Sequence, residues 1–375
     1  SSSSSSSRKG GVAGTGGVEI GLNGSQYQLL FNELEERLQD DSVSVRQKAV
    51  RIVSALALKS LEVVPPELLR QVGLRCSLDT RPEIRNDAAV GLGRIYRHNI
   101  STSSPPRDFG GHVGNLAWVP GVLLNFAVFS LEKGGASWVT AVCVVDEYLI
   151  PTDQATDVRA EGGVLLYQQL RPKGRKALES FLNHRGKRQT TLSTFTWLVE
   201  KLLLRPESES GLAALHAHYG GMLSAFPVIE EDKRLLHNLG STKNREVLGY
   251  LEVLSSPDAT LDEVVRARKG VSRCLGGKTE MGLYARKLAR GAGMGCFDPL
   301  MMQALLQMAR PPFEGEGGGT TPCVIELLEM LARCFPKMVD KVLTRFIGAR
   351  QLRQFKFIGW AGGTGHTRKS LLAHS

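Results

Sequence analysis

Cysteine and aromatic residues are scarce in this chain of 375 residues. Phe, Trp and Tyr make up only 6% of it, which leaves small aliphatic side chains to form a core. No cysteine pair has CxxC spacing and no histidine pair stands at ligand spacing, so neither a zinc site nor a disulfide framework is expected. The six cysteines, which we predict to be reduced thiols, are Cys76, Cys143, Cys274, Cys296, Cys323 and Cys334.

Long apolar runs are also absent. The most apolar segments, 119–129 and 138–145, are shorter than the roughly 18 residues that a membrane helix needs. Seven serines, Arg8, Lys9 and a glycine-rich stretch begin the chain, which therefore lacks the apolar segment of a secretory signal. We expect a disordered head over residues 1–24. Because the first residue is not methionine, we also expect a fragment or an incomplete gene model.

Motifs for catalysis and nucleotide binding are missing too. The stretch 363–370 resembles a phosphate-binding loop, but Arg368 stands where that loop needs glycine. The glycines of 291–295 lack the third spaced glycine of a dinucleotide fingerprint. His216 and His218 are two apart on a predicted helix, so they point in different directions. The chain is therefore predicted not to be an enzyme and to require no metal or cofactor.

What the chain does contain is an internal repeat with a period of 39 residues. It places Asp40, Arg46, Ala49 and Val53 in register with Asp79, Arg85, Ala88 and Leu92. A period near 40 is that of the paired-helix HEAT unit. Such pairs bury their apolar faces by stacking, which gives a curved solenoid with an extended binding surface. We predict an all-α HEAT-repeat α-solenoid over residues 25–375, with a loop or insertion near 101–115.

Two details of the predicted helices depend on weaker signals. The β-branched run 139–145 has strand propensity, but we predict a helix because its surroundings are helical and the apolar run continues to Pro151. Polar residues between 183 and 192 predict two helices, 173–183 and 192–203. Two lobes, hinged at 207–211 or 314–319, are the alternative to one continuous array.

The formal net charge is +10 and the pI is near 9.4, which favours an acidic partner. The densest group of cations comprises Arg266, Arg268, Lys269, Arg273, Lys278, Arg286, Lys287 and Arg290. We predict that this group binds DNA or another polyanion weakly and without sequence preference, with an affinity that falls steeply as salt rises. An inositol polyphosphate is the small-molecule alternative.

A second candidate site lies on the inner helix of the second repeat. Arg94 and Arg97 are three residues apart and share one face with His98, and Tyr96 supplies an aromatic side chain of the type enriched at binding hot spots. Arg85 recurs at Arg46, so we assign it to the fold. This ridge is predicted to receive a partly acidic, amphipathic segment of a partner protein.

The segment LDTRPEIRNDAAVGLGRIYR, residues 78–97, resembles a repeat of the cohesin-associated sister chromatid cohesion proteins, the family named for precocious dissociation of sisters. VDEYLIP at 145–151 and LGYLEVLSSP at 248–257 continue the likeness. Residues 116–120, 165–178 and 325–331, with Pro336, complete it in the same order. The resemblance covers roughly residues 34–369.

This resemblance implies a non-catalytic regulator of cohesin that acts in sister chromatid cohesion, in the nucleus and on chromosomes. Family members are hook-shaped HEAT arrays that bind the kleisin subunit of the ring, which makes kleisin the expected occupant of the ridge at Arg94, Tyr96, Arg97 and His98. The family's N-terminal repeats have no counterpart here, so direct binding of the releasing factor Wapl is not expected. The alternative is an unrelated HEAT scaffold, of the nuclear-transport or phosphatase-subunit type, that binds an acidic protein.

Overall fold

A computed structural model describes residues 24–102, 116–133, 137–204, 245–276, 295–309 and 321–351, with six further positions between 279 and 290. Every regular element in these residues is helical, and the all-α HEAT array is confirmed. The helices are α1 Gly24–Leu38, α2 Val43–Lys59, α3 Pro66–Leu78, α4 Pro82–Thr102, α5 Val119–Lys133, α6 Ser137–Val144, a π-helix Val145–Leu149, α7 Thr156–Gln169, α8 Pro172–Leu204, α9 Arg245–Ser255, α10 Leu261–Cys274, α11 Pro299–Met308, α12 Thr321–Cys334 and α13 Pro336–Gln351.

Several predicted features lie outside the described residues. They are the head up to residue 23, most of the loop near 101–115, the hinges at 207–211 and 314–319, the two histidines at 216 and 218, most of the glycine-rich stretch 291–295, and the stretch 363–370. No helix of the described part is both long and apolar enough to cross a membrane.

The repeated arginine fastens the turn within each repeat and joins the first repeat to the second. Arg46 donates hydrogen bonds to the backbone carbonyls of Asp40 and Asp41, and it also binds both carboxylate oxygens of Asp79 at 2.9 and 3.2 Å. Arg85 donates to the carbonyls of Asp79 and Thr80 in the same way. The repeated arginine therefore has a structural role in both repeats, as predicted for Arg85.

The Arg46–Asp79 pair leads to a prediction about pH. Burial alone would raise the pKa of the Asp79 carboxyl, but hydrogen bonds from Arg46 and the Arg81 amide hold that pKa below its ordinary value. A carboxyl with a lowered folded pKa adds stability above its ordinary pKa, and that stability is lost as pH falls through the lowered pKa. We expect Asp79→Asn to cost about 1.5–3 kcal/mol at neutral pH.

Thermal melts followed by circular dichroism, from pH 7 to pH 3, would measure this difference. The gap in melting temperature between the parent and the Asp79→Asn variant should shrink below about pH 4. Asp41→Asn removes an exposed carboxylate of the preceding turn and should have little effect. A gap that stayed constant with pH would mean that the charge of Asp79 contributes nothing.

One continuous apolar core runs from α1 to α13 and leaves out the buried apolar residues of α9 and α10. Contacts within it are not limited to neighbours in sequence, because α7 packs against α11 and α12, and α8 packs against α5 and α12. The α9–α10 hairpin packs on α8, where Gln189 donates a hydrogen bond to the Ser256 carbonyl. The middle of the chain therefore forms a thicker layer than a simple row of helix pairs.

Two of the sequence predictions about individual helices are tested directly by this structure. The run 139–145 is helical, as predicted. The predicted break between 183 and 192 is wrong, because α8 continues through it. Arg185, Arg188 and Gln189 are buried, and Gly186 lets α12 approach so closely that a Cβ atom there would lie 2.7 Å from the Cys334 carbonyl oxygen. This polar stretch is an inward-facing part of a helix.

Candidate functional site

The predicted ridge lies in the C-terminal half of α4. Arg94 is exposed and forms no hydrogen bond or ion pair with any described residue. Arg97 is half-buried, donates to the Glu147 carbonyl at 2.9 Å and pairs with the carboxylate of Asp153. His98 is exposed on the same side of the helix. The ridge therefore has one arginine available to a partner and one held by the turn after the π-helix.

Tyr96 does not belong to the exposed surface of this ridge. Its side chain is only 2% exposed, and its hydroxyl donates a hydrogen bond to the Gln169 side chain at 3.0 Å. Burial raises the pKa of this hydroxyl. The prediction that Tyr96 is an exposed aromatic anchor is therefore wrong, because residue 96 lies on the face of α4 that points toward α7. Tyr96 instead forms part of the wall of a groove.

This groove, here called the α4–α7 groove, runs between the end of α4, the π-helix and α7. It encloses about 50 Å³, and Ile100, Tyr148, Leu149 and Leu165 supply most of its apolar lining. The Tyr148 ring lies directly over Gly93, where any Cβ atom would overlap it. Apolar lining beside the Arg97 guanidinium suits a segment that carries both an aliphatic side chain and carboxylates.

The π-helix positions residues of the groove and of the core at once. It ends where the Ile150 amide donates to the Val145 carbonyl at 3.1 Å, and Pro151, which cannot donate, follows. Asp146 points inward, whereas the carbonyl of Glu147 faces Arg97. Because π-helical turns are rare and often occur at functional sites, this turn is consistent with a binding surface here.

Behind the π-helix lies a buried charged cluster. Arg185 holds both carboxylate oxygens of Asp146, and the side chains are 1% and 6% exposed. Gly295 has φ +56°, and a Cβ atom there would overlap the Asp146 carboxylate. The Arg188 guanidinium lies 4.9 Å from the centre of the Trp138 ring. Burial, and the charge of Arg185, lower the pKa of Arg188 to about 9.

The predicted polyanion cluster is divided by the fold. Arg268 turns inward, donates to the carbonyls of Ala289 and Arg290, and stands 3.7 Å from Asp146. Arg290 donates to the Cys143 sulfur at 2.9 Å, and Arg286 donates to the Gly282 carbonyl. Arg268, a member of the predicted polyanion group, is therefore turned away from the row of its neighbours on α10, because backbone carbonyls and Asp146 hold its guanidinium inside. Two of the lysines, Lys278 and Lys287, lie outside the described residues.

Three exposed cations of that cluster form a row on α10. Arg266, Lys269 and Arg273 are all exposed and line one side of a groove between α9 and α10. They lie at positions i, i+3 and i+7, which share one helix face. Polyanion binding therefore stays a prediction for the three cations of this row, out of the eight that the sequence suggested.

Cysteine and acidic side chains form no further site in the part of the chain that the structure describes. All six cysteines are free thiols. Burial raises the pKa of the Cys143 thiol despite the nearby Arg290, and it raises the pKa of the Cys296 thiol to about 12. These thiols stay protonated at neutral pH, so they are poor nucleophiles. No group of three potential metal ligands occurs among the described residues.

Sequence reasoning missed the buried ion pairs. Arg159 donates to the Asp298 carboxylate at 3.0 Å, with both side chains almost fully buried, and the partners are 139 positions apart. A carboxylate inside the apolar run 139–151 is a signal that could have suggested Asp146, because buried charges require partners. Nothing local indicated which arginine would pair with it.

Known proteins match most of the length of this chain. A family model described as Sister chromatid cohesion protein PDS5 protein matches residues 20–354. A sister chromatid cohesion protein PDS5 homolog from Dictyostelium discoideum is 19% identical over 377 residues, which cover 86% of this chain and 25% of that relative. The chain thus spans a quarter of the length of the curated relative.

A solved structure of the Pds5–Scc1 complex is similar in fold. The match has a TM-score of 0.68 at 13% sequence identity, and it covers 85% of this chain and 48% of the matched chain. Both the α4–α7 groove and the row on α10 fall inside the residues that the family model matches.

Proposed function

Since the chain belongs to the PDS5 family of sister chromatid cohesion proteins, we propose that it is a non-catalytic cohesin regulator that binds the kleisin subunit at the α4–α7 groove. It would act on chromosomes in the nucleus, as the family's role in cohesion implies. The family match argues against an unrelated nuclear-transport or phosphatase scaffold. The solved relative was determined as a complex with Scc1, which supports a kleisin partner for this fold.

The observation that carries the location is the pairing of an apolar groove with an available arginine. Arg94 is exposed and forms no ion pair with a described residue. It lies three positions before Arg97, which lines the groove together with Ile100 and Leu165. Interface hot spots combine a desolvated apolar pocket with a few charged anchors. A partly acidic, amphipathic kleisin segment has the complementary chemistry.

Arg97 takes part in this proposal through an exchange of partners. Its present carboxylate partner, Asp153, is well exposed, so the pair gains little from its mutual attraction in water. An incoming carboxylate can replace Asp153 while the bond from Arg97 to the Glu147 carbonyl is kept. Asp153 therefore competes with the ligand.

We expect Arg94→Glu to weaken binding of a recombinant N-terminal fragment of Scc1 by on the order of 10- to 100-fold, because charge reversal at a contact costs a few kcal/mol. Asp153→Asn should strengthen binding by roughly 2- to 5-fold, because it removes the competitor and the local negative charge. Isothermal titration calorimetry at 0.15 M salt would measure both. Arg97 is unsuitable for this test because it also holds the π-helix turn.

Arg81→Glu is the matched control, since Arg81 is an exposed arginine near the other end of α4 and its reversal changes the net charge equally. Circular dichroism must show unchanged helix content and melting temperature for all three variants. If Arg94→Glu and Arg81→Glu weakened binding of the fragment equally, the effect would come from net charge alone. If Arg94→Glu bound the fragment as tightly as the parent, the kleisin would bind elsewhere.

A further inference from the structure

A second groove, here called the α9–α10 groove, lies between the two helices of the hairpin that the continuous apolar core leaves out. It encloses about 420 Å³. Val253, Ala267 and the ring of Tyr250 contribute its apolar lining, and Arg266, Lys269 and Arg273 form one rim. The Tyr250 ring lies over Gly270, where a Cβ atom would overlap it. This close approach fixes the ring as a wall of the groove.

The rim is unneutralised among the described residues. None of Arg266, Lys269 and Arg273 forms a hydrogen bond or ion pair with a described residue. Glu263 also lines the groove, but its carboxylate accepts hydrogen bonds from the Thr260 amide and hydroxyl in a capping box. Glu263 is thus held at the start of α10, and the groove lining, with three cations and one carboxylate, keeps an excess of positive charge.

We propose that the α9–α10 groove binds an acidic, amphipathic segment of a partner protein, with an apolar side chain between the helices and carboxylates on Arg266, Lys269 and Arg273. Over the seven residue steps from 266 to 273 the row extends about 10 Å. This length matches two turns of a partner helix or four extended residues. The site lies on different helices from the α4–α7 groove and does not depend on kleisin binding there.

Nucleic acid fits these observations less well than a peptide. A phosphate backbone is bound through charge and needs no apolar floor, whereas Val253 and Ala267 would face it without a partner. Only three cations stand in the row, which offers few contacts to an extended phosphate backbone. Aromatic residues and arginine are the types enriched at protein interfaces, and Tyr250 and Arg266 occur together here.

The hairpin is held firmly enough to present a preformed groove. The Leu261 amide, at the start of α10, donates to the buried Asp298 carboxylate at 3.1 Å, and Arg268 is held by two backbone carbonyls. Gln189 of α8 fixes the turn between the helices through Ser256. A site on rigid helices loses little entropy when it binds a ligand.

The test uses a fluorescein-labelled peptide of sequence EEDLFEEDE, a second peptide with alanine at the Leu and Phe positions, and a labelled 20-base-pair DNA duplex. Fluorescence anisotropy with the full chain at 0.1 M salt measures all three. We expect Lys269→Glu and the alanine peptide each to weaken binding at least tenfold relative to the parent pair. Lys337→Glu, at an exposed lysine of α13, should leave binding unchanged.

Every outcome of this test either supports or overturns the proposal. A peptide that does not bind, or that binds the Lys269→Glu variant as tightly as the parent, overturns the proposal. Equal binding of the two peptides, or tighter binding of the duplex than of either peptide, shows a charged patch for polyanions in place of a peptide groove. Arg94→Glu serves as a cross-check, because its binding of the peptide should match the parent whether or not the α4–α7 groove binds kleisin.

Discussion

Replacing Asp146 with asparagine should lower the free energy of unfolding by about 3–5 kcal/mol, because removing one partner of a buried ion pair leaves an uncompensated charge. Asp146 is the carboxylate that faces Arg185 and Arg268, so its loss leaves two guanidinium groups facing each other. Arg185→Met should cost less, since Asp146 would keep Arg268 at 3.7 Å. A larger loss of stability for Asp146→Asn than for Arg185→Met would show that Asp146 serves both Arg185 and Arg268, and not Arg185 alone.

Urea denaturation followed by circular dichroism would measure both variants. Asp340→Asn and Lys176→Met are the matched controls, because each makes the same chemical change at an exposed helical position and should stay within about 0.5 kcal/mol of the parent. A larger loss for Arg185→Met than for Asp146→Asn would contradict the shared role of Asp146.

A comparable loss is expected for Asp298→Ala, because one buried carboxylate serves three helices. Asp298 caps α11 by accepting from the Met301 amide, accepts from the Leu261 amide at the start of α10, and pairs with Arg159 of α7. Losing a helix cap costs about 0.5–2 kcal/mol, and leaving Arg159 buried without its partner adds about 3–5 kcal/mol. The variant should therefore lose roughly 3.5–7 kcal/mol, which is a large part of a typical domain's stability of about 5–15 kcal/mol, or fail to fold.

Thr260→Ala provides the matched comparison, since it removes the cap of α10 without exposing a buried charge. Denaturation with urea should show a loss of about 1 kcal/mol for this variant. Asp298→Asn, which keeps one acceptor oxygen for one of the two amides but loses the charge, should fall between the two. If Asp298→Ala cost no more than Thr260→Ala, the Arg159 pair would contribute nothing to stability.

The sequence predicted the fold where the physical signal is local. The 39-residue repeat places Arg46 and Arg85 at equivalent turns, and the helical period of the apolar residues places Val53 and Leu92 inside. Such contacts join residues that are close in the chain. The π-helix carried no local signal, because its extra residue is accommodated by packing against α4 at Gly93.

The candidate sites were predicted less completely, because a single helix does not reveal which of its faces another helix will cover. Arg94 and Tyr96 are two positions apart, yet one is exposed and the other is buried against α7. Arg266 and Arg268 differ in the same way on α10. In each case the covering element comes from a distant part of the chain, so only the folded structure separates the surface residue from the buried one.

The unbroken course of α8 has a geometric consequence. A helix of 33 residues is about 50 Å long, and its first half packs in the main core at Phe181 while its second half carries the α9–α10 hairpin. Such a helix acts as a lever arm. A tilt of about 5° at one end moves the other by roughly 4 Å over that length. Small adjustments of packing beside the π-helix therefore become displacements as large as a side chain at the hairpin.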